Sequence, residues 1–76
     1  MDIKICGPGC AKCAEAERIM KEALAEAGKE ATVEKVSDFN EIAKLGIFST
    51  PAVVIDGQVK CVGKVPNKKE ALAWLA

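Results

Sequence analysis

The chain has 76 residues, with eleven basic and eleven acidic side chains and 50% apolar residues. This length is enough for one small domain over residues 1–76, with a single modest core. A chain without net charge lacks the positive field that nucleic acid or an anionic membrane requires. Its apolar runs are too short to span a bilayer. We therefore expect a monomeric domain that binds neither nucleic acid nor a membrane.

The cysteines are the main carriers of chemistry, because the chain contains no histidine. The absence of histidine excludes Ser–His and Cys–His nucleophile pairs and every zinc site that uses imidazole. Cys6, Cys10 and Cys13 fall within eight residues, and loops this short gain little stability from a disulfide. The N-terminus shows no secretory signal pattern. We expect a cytoplasmic protein, in which clustered cysteines indicate redox catalysis or metal binding.

Hydrophobic periodicity and turn residues predict seven elements in the order β-α-β-α-β-β-α. The first two strands are joined through a helix and should be parallel, whereas the turn residues Asp56 and Gly57 predict an antiparallel hairpin. Two N-terminal capping boxes are expected, Asp38 with Glu41 and Asn67 with Glu70. Strands are predicted over residues 3–6, 32–36, 51–55 and 58–62. Helices are predicted over residues 11–27, over two turns after Asp38 that carry Phe39, Ile42 and Leu45 inward, and after Asn67.

Cys10 and Cys13 stand at the start of the first predicted helix. They are one helical turn apart on the same side, which allows a disulfide with little backbone motion. Cys10 is expected beside the unpaired N–H groups and the positive dipole end of the helix, which stabilise a thiolate, as does the charge of Lys12. We predict that Cys10 attacks a client's disulfide and that Cys13 resolves the mixed disulfide. No cofactor beyond this redox-active pair is expected.

A resemblance to a known family adds to this interpretation. Residues 7–13 (GPGCAKC), Ser49-Thr50-Pro51 before a strand, Asp56-Gly57 and Gly63 together resemble the thioredoxin fold in its shortest form. More narrowly, the chain is similar to the small prokaryotic thioredoxin-like proteins called redox-active disulfide proteins. The resemblance covers essentially the whole chain. It implies an α/β fold with a four-stranded mixed sheet and three helices.

The resemblance also implies roles for individual residues. The proline that matches Pro51 is cis in the family and faces the cysteine pair, and the backbone at Thr50 would pair with an extended client. Gly63 would leave room for the substrate. The implied partners are a disulfide-containing client protein and an electron donor, either a thioredoxin-reductase-like protein or glutathione. Lys12 and Lys64 are candidates for binding a glutathione carboxylate.

Two alternatives remain open at this stage. Cys10 and Cys13, with possible help from Cys6, could bind Cu(I), Zn²⁺ or arsenite as a soft-metal module. The fold could also serve an inactive adaptor that docks through the edge at Thr50-Pro51. Cys6 and Cys61 are expected to be buried thiols that pack as small hydrophobic groups. The implied sheet order places them too far apart to form a disulfide.

Overall fold

A computed structural model describes residues 1–9 and 11–75 of the chain. The element order is β-α-β-α-β-β-α, and the predicted α/β architecture, a four-stranded mixed sheet with three helices, is confirmed. No helix in the described ranges is long and apolar enough to cross a membrane. The strands are β1 (Asp2–Cys6), β2 (Thr32–Val36), β3 (Ala52–Ile55) and β4 (Gln58–Val62), and the helices are α1 (Ala11–Ala27), α2 (Phe39–Lys44) and α3 (Lys68–Leu75).

The strand order in the sheet is β2-β1-β3-β4. Strands β1 and β2 are parallel, as expected for strands joined through a helix, and β3 is antiparallel to both β1 and β4. The hairpin between β3 and β4 turns at Asp56 and Gly57, whose φ angles of 49° and 82° are both positive. That combination is the one a two-residue hairpin turn of the primed type requires.

Asp56 also connects this hairpin turn to the start of β1. Its backbone N–H donates to the Asp2 carbonyl and its Oδ1 accepts from the Asp2 N–H, both at 2.8 Å. The turn is therefore held by its neighbouring strand as well as by its own backbone preference.

The sheet separates two apolar clusters. Helices α1 and α3 cover one face, where Ile3, Ile5 and Val53 meet Met20 and Leu75. The short helix α2 covers part of the other face. There the cluster comprises Cys6, Ile42, Ile47, Ala52 and Val54. Because side chains alternate across a strand, the successive strand residues Ile5 and Cys6 enter different clusters.

The predicted bounds need three local corrections. Strand β3 starts at Ala52 and not at Pro51, which has no N–H to give to a sheet ladder. Phe39 is 65% exposed instead of facing inward, because helical side chains lean toward the helix N-terminus and the first residue of this short helix projects beyond the core that Ile42 reaches. At α2 only half of the capping box forms: Asp38 accepts from the Asn40 N–H.

The capping box of α3 forms as predicted. The Glu70 N–H donates to Asn67 Oδ1 at 2.8 Å, and the Asn67 N–H donates to Glu70 Oε1 at 3.2 Å. Lys68, in the first turn, forms an ion pair with Glu26 on α1. The last helix is thus joined to α1 by charge at its start and by apolar packing along its length.

Candidate functional site

Cys13 is the third described residue of α1 and lies on the inner side of that helix. Its side chain is only 3% exposed. The helix is held in place by Ala16 and Met20, which are fully buried one and two turns further on. The backbone of Cys13 therefore has little freedom to move relative to the sheet.

Gly7, which follows β1, lies directly against the Cys13 side chain. A β-carbon placed on Gly7 would overlap the Cys13 sulfur and would lie 3.1 Å from Cys13 Cβ. Its backbone is fixed by an N–H to Val36 carbonyl hydrogen bond of 2.8 Å, which extends the pairing of β1 with β2. The missing side chain at Gly7 is what gives the Cys13 sulfur its space.

Thr50 approaches the same point from the other side. The position of that β-carbon on Gly7 is also 3.7 Å from Thr50 Cβ. Thr50 Cβ and Cys13 Cβ are therefore no further apart than the sum of 3.7 and 3.1 Å, which is 6.8 Å. The peptide bond between Thr50 and Pro51 is cis. The tertiary structure thus brings together two predicted site segments that are more than thirty residues apart in sequence.

Gly63 lies beside the same turn. Its N–H donates to the Pro51 carbonyl at 2.9 Å, and its φ is +76°. A β-carbon at this position would be 3.3 Å from Ser49 Cβ, which is a tight contact. Gly63 therefore belongs to the structure around Thr50-Pro51, and its lack of a side chain fits the close approach of Ser49.

Cys10, predicted as the attacking thiol, lies outside the described residues. Lys12, predicted to stabilise its thiolate, is on the exposed side of α1. Behind Cys13, no charged or polar side chain is buried in the described part of the chain, so no buried acid stands there to receive its proton. Asp2, a candidate for that role, is exposed at the start of β1.

Cys6 and Cys61 are buried, as predicted, and lie on opposite faces of the sheet. Cys6 packs in the cluster beneath α2, whereas Cys61 packs in the cluster beneath α1 and α3. β3 lies between their strands, so they form no disulfide. Burial raises the pKa of both thiols, although Lys4 acts in the opposite direction at Cys6 and hydrogen bonding from the Val53 backbone does so at Cys61.

The charge of Lys64 is engaged locally. Its Nζ lies 2.9 Å from Glu70 Oε2. This hydrogen bond raises the pKa of Lys64 and, together with the hydrogen bond from the Asn67 backbone, lowers the pKa of Glu70. Of the two lysines considered for a glutathione carboxylate, Lys64 therefore already has an anionic partner.

No group of three or more cysteine, aspartate or glutamate side chains in the described ranges is arranged to hold a metal ion. Sequence reasoning missed the role of Gly7, which stood only as a residue that ends β1. The signal was present as a glycine three residues before the first cysteine of the pair, but its contact with Cys13 depends on how α1 packs against β1.

A small α/β protein that places a buried helical cysteine beside a cis-proline turn is thioredoxin-like in architecture. The chain matches the thioredoxin domain family over residues 1–76. A thioredoxin of Methanothermobacter thermautotrophicus is 37% identical over 70 residues, covering 92% of this chain and 91% of the relative. A thioredoxin of Methanocaldococcus jannaschii is 41% identical over 68 residues, covering 90% of this chain and 78% of the relative.

The chain therefore belongs to the thioredoxin domain family. The resemblance inferred from the motifs is confirmed, and thiol–disulfide oxidoreductase is the kind of enzyme that this membership defines.

Proposed function

We propose that this protein reduces disulfides in client proteins with a dithiol formed by Cys10 and Cys13. The observation that carries the proposal is the position of Cys13. Its side chain lies on the inner side of α1, against Gly7 and within 6.8 Å, β-carbon to β-carbon, of Thr50 at the cis-proline turn. A client held at Thr50 would thus be next to the sulfur that completes the exchange.

The proposed reaction has two exchange steps. The Cys10 thiolate attacks one sulfur of the client's disulfide, which forms a mixed disulfide and releases the client's other sulfur as a thiolate. The Cys13 thiolate then attacks the Cys10 sulfur, forms the Cys10–Cys13 disulfide and releases the second client sulfur. Two electrons pass to the client, and the two protons of the Cys10 and Cys13 thiols balance those taken up by the two client thiolates.

The roles of the two sulfurs follow from where each stands in sequence relative to α1. Cys10 precedes the first described residue of α1, where N–H groups without helical partners and the helix dipole favour an anion. Cys13 is one turn inside the helix and almost fully buried, so it reacts with a sulfur brought to it and not with a protein in solution. Lys12 would add positive charge near Cys10.

Thr50, Pro51 and Gly63 would form the client site. An extended client strand would pair with the backbone at Thr50, and the Gly63 position would leave space for it. A two-electron donor must then reduce the Cys10–Cys13 disulfide again. We propose a thioredoxin-reductase-like protein or glutathione for that step, in a cytoplasmic setting where thiols remain reduced.

Insulin reduction, with dithiothreitol as the electron source, tests the proposal. We expect the parent to accelerate precipitation of the insulin B chain and Cys10→Ser to abolish the acceleration. Cys13→Ser should instead accumulate a mixed disulfide between Cys10 and the client, visible by mass spectrometry without reductant. Cys61→Ala is the matched control, because it removes a thiol remote from the pair. If Cys10→Ser reduces insulin as fast as the parent, the proposal is wrong.

A further inference from the structure

A groove of about 250 Å³ opens between α2 and the segment that leads into β3. Phe39 and Ile42 border it from α2, and Ile47, Phe48 and Thr50 border it from the segment before the cis-proline. No sequence motif pointed to it.

The groove keeps two large aromatic side chains in contact with water. Phe39 is 65% exposed and Phe48 is 86% exposed, although the whole chain has only two phenylalanines and one tryptophan. Exposed aromatic groups that line a concave apolar surface are typical of an interaction site and not of a solvated one. In the core of the same protein, burial of such side chains would have contributed stability instead.

The position of the groove relates it to the cysteine pair. Thr50 borders the groove and also faces Gly7 and Cys13. A chain segment bound at Thr50 would therefore have one side chain directed along the groove while its own cysteine lies near Cys13. This continuity with the proposed client site is what distinguishes this groove from the depression on the outer side of α1, which is bordered by the paired charges Arg18 and Glu22.

The charge of the groove indicates the chemistry of its occupant. None of the residues that line it carries a charge, so a charged group placed there would lose hydration without gaining an ionic partner. An uncharged apolar side chain would lose only unfavourable contact with water. Glutathione, which carries two carboxylates and an ammonium group, does not fit that description.

We propose that this groove binds a large uncharged apolar side chain of the client protein, placed within a few residues of the client's disulfide cysteine. Phe39 and Phe48 are then specificity-determining residues. The inference rests on the proposed function, because it assigns the groove to the same client that exchanges with Cys10 and Cys13. Its consequence is that the protein selects among disulfides by the residues that flank them.

The test uses a set of glycine- and serine-rich peptides that each contain one intermolecular disulfide. In each peptide a single leucine, serine or aspartate occupies one of the three positions on either side of the cysteine. The second-order rate constant for reduction by the full-length reduced protein is measured for every peptide. At one or two positions we expect the leucine peptide to react about tenfold faster than its serine counterpart, a factor that partial burial of one leucine supplies. The aspartate peptide should gain nothing.

Two exposed-site variants and one matched control locate the effect. In Phe48→Ser and in Phe39→Ser the ratio of the leucine to the serine rate constant should fall to near one. In Val59→Ser the ratio should stay at the parent's value, because Val59 is an apolar residue 43% exposed on β4 and does not border the groove.

Several outcomes would overturn the inference. Equal rates for leucine and serine peptides at all six positions would do so while leaving the proposed function intact. A parent that reduces no peptide at all would contradict the proposed function itself. Oxidised glutathione that reacts faster than the best leucine peptide would show a different substrate class. A dimer in sedimentation experiments that Phe48→Ser dissociates would show that a second copy of the chain occupies the groove.

Discussion

The α-carbon of Gly7 lies so close to the sulfur of Cys13 that no methyl group fits between them. Neither residue can easily give way. Gly7 is hydrogen-bonded to Val36 through its backbone, and Cys13 is fixed in α1 by the buried residues that follow it. The place of the second sulfur is therefore set by a residue that carries no side chain, three positions before the cysteine pair begins.

Replacing Gly7 by alanine should displace the Cys13 sulfur. We expect closure of the Cys10–Cys13 ring, measured by quenched flow after mixing with a peptide disulfide, to slow by about tenfold, because the attacking atom loses its alignment. Overpacking should also lower the free energy of unfolding in urea by about 1–3 kcal/mol.

The matched control is Gly46→Ala. Gly46 has a φ of +80° and open space around its α-carbon, so alanine there should cost about 1–2 kcal/mol in backbone strain without touching the pair. If Gly7→Ala closes the ring as fast as Gly46→Ala does, contact with Gly7 does not position the sulfur.

The ion pair between Lys64 and Glu70 should make stability depend on acid. The pKa of Glu70 is lowered in the folded protein by Lys64 and by the Asn67 N–H. Its stabilising contribution is therefore present above the unfolded pKa and is lost as the pH falls through the folded pKa. We expect the Tm of Glu70→Gln to change less between pH 6 and pH 3 than that of the parent. Glu30→Gln, an exposed change, should follow the parent, and an equal acid response in Glu70→Gln would refute the assignment.

Cys6 and Cys61 should resist alkylation in the native protein. They are 0% and 7% exposed, and burial raises their pKa above the ordinary value of 9.0. We expect iodoacetamide to modify both at least about a hundredfold more slowly than in urea, as resolved by peptide mass spectrometry. Because their folded pKa values are raised, their contribution to stability is present below pH 9 and declines as the pH rises through the folded pKa. Rapid native modification of Cys6 would show that its cluster opens readily.

The Asp56 turn should depend on both its backbone conformation and its side-chain oxygen. Asp56→Ala removes the acceptor of the Asp2 N–H and places alanine at a φ of 49°. The combined cost should be about 1–3 kcal/mol in urea unfolding. Asp56→Asn keeps an acceptor and tolerates the left-handed region, so it should lose well under half as much. Equal losses in the two variants would mean that neither feature of the turn matters.

Much of the local structure could be predicted from the chain alone. The bounds of α1, β2 and β4 agree with the predictions, because apolar spacing and β-branched runs are local signals. The hairpin turn at Asp56 and Gly57 and the capping box at Asn67 were predictable for the same reason, since their residue types satisfy backbone groups a few positions away. The start of α2 was less predictable, because Phe39 lies at the first turn, where helical spacing does not decide whether a side chain reaches the core.

The candidate site divides in a similar way. Residue chemistry and the spacing of Cys10 and Cys13 indicated thiol–disulfide exchange, since a chain without histidine offers few other reactive groups. Only the tertiary structure placed Thr50 near Cys13, put Gly7 against its sulfur, and separated Cys6 from Cys61 on opposite faces of the sheet. These contacts join strands and helices far apart in sequence, and they depend on sheet order and on how α1 packs, neither of which any short stretch of residues encodes.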